Sequence, residues 1–397
     1  MCAPSRYDQA RAYKKGGIMP VSRKFPCRRV SRRSVLQSSA AMLSAPLVAK
    51  ATAAFGQEKL AGTGEVVVYG YGGSFTQNLR KYVFDPFTKA TGIRVVDVIA
   101  DLAGPQLKAM HEAGRVDWDV AFLSDVEPGY ALLREAGMFM PIDYSLWDDE
   151  ALKGVPESAR RTDAVVAFQN ATLLVYDERA FPKGGPKNWS EFWNVKEFPG
   201  PRGYNGVGGP APILFALMAD GVAHKDLWPL SDDKIDRALK KLDQIKPHIT
   251  KWWAAGGEPI QLLINREYAL SSVFDGRALA AIKRGLPIRM VWDGATIGAT
   301  DWTVLKGGPN SANAQKFIAF VNRAETAAAF TQAAGYPGPN LNQLKYLPAD
   351  LVPLISINPD NAAKAVRLDA TWVLAKRPDG KTNADHIQER WLAWRAQ

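Results

Sequence analysis

Between residues 65 and 123 the chain alternates short apolar runs with stretches of helical periodicity. Glu65 to Tyr69 is rich in β-branched residues and bounded by glycine, which is typical of a buried strand. From Phe75 to Phe87, apolar residues recur at the spacing of one helix face. The next segments are predicted to be a strand, a helix and a strand: Ile93 to Ile99, Gln106 to Ala113 and Trp118 to Leu123. This order predicts an α/β fold with a mostly parallel sheet covered by helices.

The same alternation resumes after residue 163 and predicts a second α/β unit. The predicted strands are Ala164 to Tyr176, Ser271 to Phe274 and Ile288 to Trp292, and the predicted helices are Ile213 to Met218, Asp232 to Ile245, Ile260 to Arg266, Leu279 to Arg284, Ala314 to Ala334 (one or two helices) and Asn383 to Ala396. No repeat, low-complexity tract or long linker separates the units, so strands or short crossovers should connect them. A folded part of about 340 residues also favours two domains over one.

Residues 1–53 are basic and poor in acids, which predicts a targeting segment that is separate from the folded domains. Residues 31–37, SRRSVLQ, resemble the twin-arginine motif, with Arg32 and Arg33 as its arginine pair. A weakly apolar stretch, residues 40–49, follows and is too short to cross a bilayer as a helix. We therefore expect export in the folded state by the twin-arginine machinery, and no membrane anchor.

The basic character of the chain is confined to this segment. It contains eleven lysines and arginines against one acid, Asp8, and this surplus of ten equals the +10 net charge of the whole sequence. The remainder is near neutral, which argues against binding to nucleic acid or to an acidic membrane surface. Both cysteines, Cys2 and Cys27, also lie in the segment, so no disulfide, thiolate metal ligand or cysteine nucleophile is expected beyond it.

The glycine-rich loop at residues 70–74, before the first predicted helix, invites comparison with nucleotide-binding loops. Its sequence fails both patterns, because Phe75 stands where a dinucleotide fingerprint needs a small residue and the Gly-Lys-Ser or Gly-Lys-Thr of a P-loop is absent. Two interpretations remain open. The loop is either a tight strand-to-helix turn or one edge of a small-ligand site at the carboxyl end of a strand, where open α/β sheets bind ligands.

Metal and acid–base chemistry find little support in the sequence. The four histidines are far apart and lack metal-ligand spacing: His111, His224, His248 and His386. There is no GxSxG nucleophile motif, and most acidic residues fall on helix faces that should be solvated. We predict no metal, no cofactor and no catalysis.

Five segments together resemble the spermidine/putrescine-binding family of periplasmic solute-binding proteins. They are VVVYGYGGSF, DPFTKATGIRV, WDVAFLSD, SEFWNVKEFPG and GYPGPN, and the similarity spans nearly all of the chain after residue 53. The resemblance implies a type II periplasmic-binding fold, with two α/β lobes joined by crossing strands and closing on ligand about a hinge. It also implies a periplasmic monomer that delivers its solute to the permease of an ABC importer in the inner membrane.

On the basis of this resemblance, the first lobe is expected to comprise residues 65–169 and 300–338, and the second lobe residues 170–299 and 339–397. The resemblance also implies which residues bind ligand: Tyr71, Ser74, Phe75, Ser124, Phe274, Asp301 and Tyr336. Asp301 falls at the family's acid that pairs with an amine, whereas Asp275 is expected to be an ordinary turn residue.

One departure from the family pattern bears on the ligand. The family's acidic pair before the helix at Ile213 is replaced by residues 208–212, GGPAP, which contain no carboxylate. A polyamine-like amine is the first prediction, although a long polyamine would lack one ammonium partner here. The alternative is a zwitterionic amino-acid derivative or another small anion, with its carboxylate on backbone N–H groups near Gly72–Phe75 and Pro212 and its amine on Asp301.

Two other functions are less well supported. An iron(III) receptor needs hard ligands such as adjacent tyrosines or a histidine cluster, and the sequence has neither. A twin-arginine-exported enzyme needs a cofactor, for which the sequence offers no binding motif.

Overall fold

The structure, a computed structural model, describes residues 59–100 and 103–397. The predicted targeting segment, residues 1–53 with Arg32 and Arg33, lies outside the described residues.

Strands and helices alternate along the described chain, as predicted. The strands are β1 Glu65–Gly70, β2 Arg94–Ile99, β3 Val120–Ser124, β4 Val165–Asp177, β5 Arg202–Asn205, β6 Ile249–Trp253, β7 Leu270–Phe274, β8 Ile288–Val304 and β9 Val366–Arg367. The α-helices are α1 Gly73–Leu79, α2 Asp85–Thr91, α3 Ala103–Glu112, α4 Pro128–Glu135, α5 Asp149–Gly154, α6 Trp189–Trp193, α7 Pro210–Ala219, α8 Asp232–Ile245, α9 Glu258–Ile264, α10 Asp275–Lys283, α11 Ser311–Val321, α12 Ala324–Ala334, α13 Pro359–Lys364, α14 Ala370–Leu374 and α15 Asn383–Arg395.

The first predicted helix is divided into three parts. A π-helical turn, Arg80–Phe84, separates α1 from α2. Pro86 follows in the first turn of α2, and proline has no N–H group for the hydrogen bond that would continue a regular helix from α1. The loss of that bond accounts for the irregular turn.

The strands form one sheet in the order β2-β1-β3-β8-β4-β7-β5-β6, with β9 beside β8. At one end β1 pairs in parallel with β2 and β3, and at the other β5 pairs in parallel with β6 and β7. The two long strands between these groups, β4 and β8, pair antiparallel with each other, β8 pairs antiparallel with β3 and β4 with β7, whereas the short strand β9 pairs in parallel with β8. The predicted parallel sheets are therefore present at both ends, joined through an antiparallel centre.

Strand β8 extends twelve residues beyond the predicted end at Trp292, to Val304. Gly294 sits within it at a φ of 72°, in the left-handed region that favours glycine. The pairing with β4 shifts register here, between Thr172 and Leu174, and forms a bulge. The glycine that looks like a strand end in the sequence is the point at which β8 bends and continues.

Two sets of apolar cores divide the molecule into lobes. The core of lobe 1 is built from residues within 60–168 and 302–330. The cores of lobe 2 are built from residues within 171–297 and 366–394. Strands β4 and β8 pass from one lobe to the other and connect them.

One cavity is lined mainly by helices α9 and α10 of lobe 2 and also reaches lobe 1. Ser74 follows β1 of lobe 1, whereas Gly257 follows β6 and Arg277 follows β7 of lobe 2, and all three line a single cavity of about 330 Å³. Ligands of open α/β sheets bind at such carboxyl ends. We call this space the interlobe cleft.

Candidate functional site

Three of the predicted site residues form one aromatic cluster beside the interlobe cleft. The ring of Phe75 lies 5.3 Å from that of Tyr71 and 6.0 Å from that of Tyr336, measured between centroids. Tyr71 also contacts Phe122 at 4.9 Å and is 39% exposed. The cluster thus offers an accessible aromatic surface, which suits the apolar part of a small ligand or a cationic group.

Tyr336 brings this cluster against lobe 2. Gly335 ends helix α12 in the left-handed conformation, with φ 80°, so that the chain turns and Tyr336 points away from the helix. A Cβ atom at Gly276, in the first turn of α10, would lie 2.5 Å from Cζ of Tyr336. The absence of a side chain at Gly276 therefore allows the tyrosine ring to reach the other lobe.

Ser124 ends β3, and an acidic residue that was not predicted lies beside it. The backbone N–H of Glu127 donates to the carbonyl oxygen of Ser124 at 3.1 Å. Burial raises the pKa of the Glu127 carboxyl above its usual range. Its carboxylate has no ion-pair or hydrogen-bond partner among the described residues.

The electrostatics place Glu127 close to the aromatic cluster. Burial, followed by the negative charges of Glu127 and Tyr336, raises the pKa of Tyr71 to about 12. Tyr71 is therefore a neutral hydrogen-bonding group at physiological pH. Glu127 is the acidic group that acts on Tyr71 from the lobe 1 side of this cluster.

Arg277 is the corresponding charge on lobe 2. It is exposed in the first turn of α10 and lines the cleft cavity with Ser74. The pKa of Tyr336 is raised by burial and by Asp275 and lowered by Arg277, so the guanidinium is near the tyrosine. No carboxylate or carbonyl among the described residues pairs with this guanidinium.

Asp275 was expected to be an ordinary turn residue, and the structure buries it at the start of α10. It is 2% exposed, and its Oδ1 accepts the N–H of Gly276 at 2.8 Å at the start of α10. Its Oδ2 has no hydrogen-bond partner among the described residues. Burial raises the pKa of Asp275 to about 7, against the opposing effect of backbone N–H groups that include that of Ala171 in β4.

Asp301 lies apart from the aromatic cluster, inside lobe 1. It is fully buried, and its Oδ2 accepts the hydroxyl of Tyr130 at 2.8 Å and a bond from the guanidinium of Arg161. The next residue, Trp302, contacts Phe122 of the aromatic cluster at 5.1 Å. Because successive side chains of a strand point to opposite faces, Asp301 faces away from the cluster.

Arg161 connects Asp301 to a second acid. Its guanidinium lies 3.3 Å from Oδ2 of Asp125, which follows Ser124 at the end of β3. Burial, followed by the negative charge of Asp301, raises the pKa of Asp125 to about 6. Two carboxylates thus share one arginine, and each keeps one oxygen without a partner among the described residues.

Phe274 contacts other residues than those of the aromatic cluster. Its ring lies 5.5 Å from that of Trp253 in an edge-to-face arrangement, and a Cβ atom at Gly256 would lie 2.8 Å from it. It is half-buried where β6 and β7 end, on the lobe 2 side of the cleft.

The backbone groups proposed for an anion are only partly free. The N–H of Gly72 donates to Oγ1 of Thr76 at 2.8 Å. Helix α7 begins at Pro210, and because Pro210 and Pro212 have no N–H groups, its first three residues offer only the N–H of Ala211. An anion in the cleft therefore has a stronger partner in the guanidinium of Arg277.

Sequence reasoning thus missed Glu127, Arg277 and the burial of Asp275. A usable signal was present, because each of these charged residues follows a predicted strand within a few positions, in SDVEPG and FDGR. The carboxyl ends of parallel strands are where such side chains meet a ligand.

Two absences apply to the part of the chain that the structure describes. No helix there has the length and apolar character needed to cross a membrane. Nor do three or more histidine, cysteine or acidic side chains come together there in a way that could hold a metal ion.

Known proteins share both the sequence and the fold of this chain. A γ-aminobutyric acid-binding protein from Pseudomonas aeruginosa is 32% identical over 349 residues, which cover 87% of this chain and 94% of the relative. A spermidine/putrescine-binding periplasmic protein from Salmonella typhimurium is more distant, at 22% identity over 300 residues, 72% of this chain and 82% of the relative. The crystal structure of an ABC transporter from Rhodopseudomonas palustris is 33% identical, with a TM-score of 0.70, and the match covers 83% of this chain and 99% of that chain.

These similarities confirm the predicted two-lobed type II fold, whereas the assignment to the spermidine/putrescine branch is not confirmed. The family model described as bacterial extracellular solute-binding protein matches residues 83–348, which is more than half of the chain. The chain therefore belongs to the family of bacterial extracellular solute-binding proteins.

Proposed function

We propose that this protein is the periplasmic substrate-binding component of an ABC importer and that its ligand is a small zwitterionic amino acid. The 32% identity to a γ-aminobutyric acid-binding protein supports this ligand class, and the similarity to an ABC transporter structure supports the importer. We use 4-aminobutyrate as the probe of the proposal. The protein's partners are then this solute, the membrane permease and, for the precursor, the twin-arginine machinery.

The observation that carries the proposal is a pair of opposite charges, one on each lobe, that have no ion-pair partner among the described residues. Glu127 lies on lobe 1 and Arg277 on lobe 2, and each is electrostatically coupled to a tyrosine of the aromatic cluster. A zwitterion gives each charge a partner: its ammonium binds Glu127 beside the ring of Tyr71, and its carboxylate binds Arg277. Hydrogen bonds to charged groups contribute about 1.5–3 kcal/mol each.

The same residues disfavour a polyamine. Such a ligand carries an ammonium at each end, yet residues 208–212 contain no carboxylate and Asp301 is already bonded to Arg161. A second ammonium at the lobe 2 side of the cleft would lie near Arg277, and like charges in one site repel. One amine and one carboxylate match the two charges that have no partner among the described residues.

Ligand binding then favours the closed state, because the two charges belong to different lobes. The lobes that we propose are residues 65–169 with 300–338 and residues 170–299 with 339–397, and the hinge lies where β4 and β8 cross. A zwitterion that bridges Glu127 and Arg277 binds the closed arrangement more tightly than the open one. The permease recognises the closed monomer in this scheme.

Calorimetry with 4-aminobutyrate, putrescine and spermidine tests the ligand class. We expect binding of 4-aminobutyrate and weaker or no binding of the polyamines. Arg277→Gln should weaken 4-aminobutyrate binding about tenfold to 150-fold, which corresponds to about 1.5–3 kcal/mol. Arg284→Gln is the matched control, because Arg284 lies two turns further along the same cavity wall, and its affinity should stay within about threefold.

Two results would overturn the proposal. One is tighter binding of putrescine or spermidine than of 4-aminobutyrate. The other is an equal loss of affinity in Arg277→Gln and Arg284→Gln. Equal losses would mean that the interlobe cleft attracts anions through its general positive charge and has no specific carboxylate site.

A further inference from the structure

The direction of β5 points the loop that follows it toward the edge of the sheet where β6 and β7 lead to the interlobe cleft. β5 is parallel to β6 and β7, and the segments after β6 and β7 supply Gly257 and Arg277 to the cleft cavity. The loop after β5, residues 206–209, leaves the sheet at the same edge. Three of its four residues are glycine, so its own sequence does little to select one conformation.

The C-terminal helix α15 makes hydrogen bonds to two successive carbonyl groups of this loop. Nε1 of Trp391 donates to the carbonyl oxygen of Gly206 at 3.2 Å. Nε2 of Gln388 donates to the carbonyl oxygen of Val207 at 3.0 Å. The donor and acceptor residues of these two bonds are 185 and 181 residues apart in sequence, so both bonds are tertiary contacts.

The packing between helix and loop is close. At Gly208, which has φ 100°, a Cβ atom would lie 2.5 Å from Oε1 of Gln388 and 2.6 Å from Cδ1 of Trp391. The helix surface therefore lies against the loop backbone itself, and a glycine is required at this position for both the φ angle and the space.

Helix α15 is itself firmly held. Its first turn has a capping box between Thr382 and Asp385. Trp391 is fully buried, and its ring contacts those of Trp252 in β6 at 5.8 Å and Trp394 at 5.2 Å. These contacts give the two donors fixed positions relative to the sheet.

We infer that Trp391 and Gln388 are positioning residues for ligand binding: the C-terminal helix holds the loop 206–209 in its binding-competent conformation. The inference rests on the proposed function, because it takes the interlobe cleft as the ligand site. A flexible loop that is competent for only part of the time lowers the apparent affinity by that fraction. The two side-chain donors keep this fraction high without touching the ligand.

Trp391→Phe and Trp394→Phe provide a matched pair of variants. Both replace a tryptophan of α15 and both remove one indole hydrogen bond, but Nε1 of Trp394 donates to Asp243 in α8, at 2.8 Å, and has no bond to the loop. Any general loss of stability in lobe 2 should therefore appear in both variants. Loosening of the loop should appear only in Trp391→Phe.

Hydrogen–deuterium exchange of the free protein, followed in peptides that cover residues 204–213, gives a readout that needs no ligand. We expect faster exchange of the loop amides in Trp391→Phe than in wild type or in Trp394→Phe. If the competent fraction of the loop falls to about 10–30%, 4-aminobutyrate binds about three- to tenfold more weakly to Trp391→Phe, whereas Trp394→Phe binds as wild type. Gln388→Met gives the same test if Trp391→Phe does not fold.

Equal exchange and equal affinity in the two tryptophan variants would overturn the inference. Faster exchange with unchanged affinity would overturn it as well, because the loop would then be outside the site. If wild type fails to bind 4-aminobutyrate, the proposed function is wrong, while the exchange comparison still decides whether α15 holds the loop. The affinity measurement is then made with whichever of putrescine and spermidine binds.

Discussion

The hydroxyl group of Tyr130 lies 2.8 Å from Oδ2 of Asp301, and the guanidinium of Arg161 binds the same oxygen. All three groups belong to lobe 1, and the aspartate is fully buried. Burial raises the pKa of Asp301 above its usual range, and Arg161 and Tyr130 oppose this effect, so the carboxylate depends on these partners and its removal leaves Arg161 without its nearest acid. The use of Asp301 as a ligand site requires an incoming amine to compete with an arginine that is already in place.

Asp301→Asn should therefore lower the stability of the protein. The substitution removes the charge that pairs with Arg161 and leaves Asp125, at 3.3 Å, as the partner of that guanidinium. We expect the free energy of unfolding in urea to fall by about 1.5–3 kcal/mol. Tyr130→Phe, which removes a neutral donor, should cost about 0.5–1.5 kcal/mol. Unchanged stability together with a large loss of 4-aminobutyrate affinity would instead assign Asp301 to the ligand, as the family resemblance implies.

The buried carboxyl of Asp275 should make stability depend on pH. Burial raises its pKa from 3.8 to about 7, so between these values the folded state binds a proton that the unfolded state has released. Stability contributed by this group is complete at low pH and is lost as pH rises from about 4 to about 7, by about 1.4 kcal/mol per unit at most. Asp275→Asn cannot ionise and should have a flatter profile.

Urea unfolding between pH 4 and pH 8 measures this difference. Asp360→Asn, at an exposed position of helix α13, is the control and should keep the slope of wild type. If wild type and Asp275→Asn have parallel profiles, the carboxyl is not protonated in the folded state over this range.

Gly276→Ala should interfere with the position of Tyr336. The added methyl group would lie 2.5 Å from Cζ of the tyrosine, closer than side chains tolerate. We expect a loss of about 1–3 kcal/mol in stability and weaker ligand binding, because either the ring or the first turn of α10 must move. Gly257→Ala is a control in the same cleft, since a Cβ atom there has nothing within 4 Å and its φ of −83° suits alanine.

The double variant with Tyr336→Ala separates the two effects of this substitution. If contact with the ring is the cause, Gly276→Ala should cost much less stability in the Tyr336→Ala background than in wild type, a coupling that a double-mutant cycle measures. Equal costs in both backgrounds would place the strain in the helix backbone.

The sequence predicted those elements whose pattern is decided locally. Helix α8 has the predicted bounds, Asp232–Ile245, because Ile235, Leu239 and Leu242 recur at helical spacing and are buried. The end of β8 was wrong because an internal glycine looks like a terminator until its pairing with β4 is known. Strands β5 and β6 were missed, since a four-residue run such as RGYN has no detectable period.

The site shows the same division between local and tertiary information. Tyr71, Phe75 and Tyr336 were predicted from motifs and do lie together. The orientation of Asp301 depends on strand parity, because a shift of one residue moves a side chain to the other face of the sheet. The position of Glu127 relative to Arg277 depends on how the two lobes meet. No residue spacing within one segment encodes that arrangement.

Glu127→Gln should weaken ligand binding without harming the fold. Burial raises the pKa of this carboxyl, which means that the folded state disfavours its charge, and glutamine removes the charge while it keeps the shape. The free energy of unfolding at pH 7 should therefore be equal to that of wild type or slightly higher. Affinity for 4-aminobutyrate should fall about tenfold to 150-fold, since the ammonium loses a charged partner worth about 1.5–3 kcal/mol.

Ligand charge provides the control for this variant. Butyrate lacks the ammonium group, so its weak binding should be the same in wild type and in Glu127→Gln. Adding Arg277→Gln to either protein should abolish butyrate binding. Calorimetry with both ligands on the four proteins, which are wild type, the two single variants and the double variant, separates the two ends of the site. If Glu127→Gln weakens butyrate as much as 4-aminobutyrate, the glutamate shapes the cleft and does not bind the amine, and the ammonium site must be sought at Asp275 or Asp125, whose buried carboxylates each keep an oxygen without a partner among the described residues.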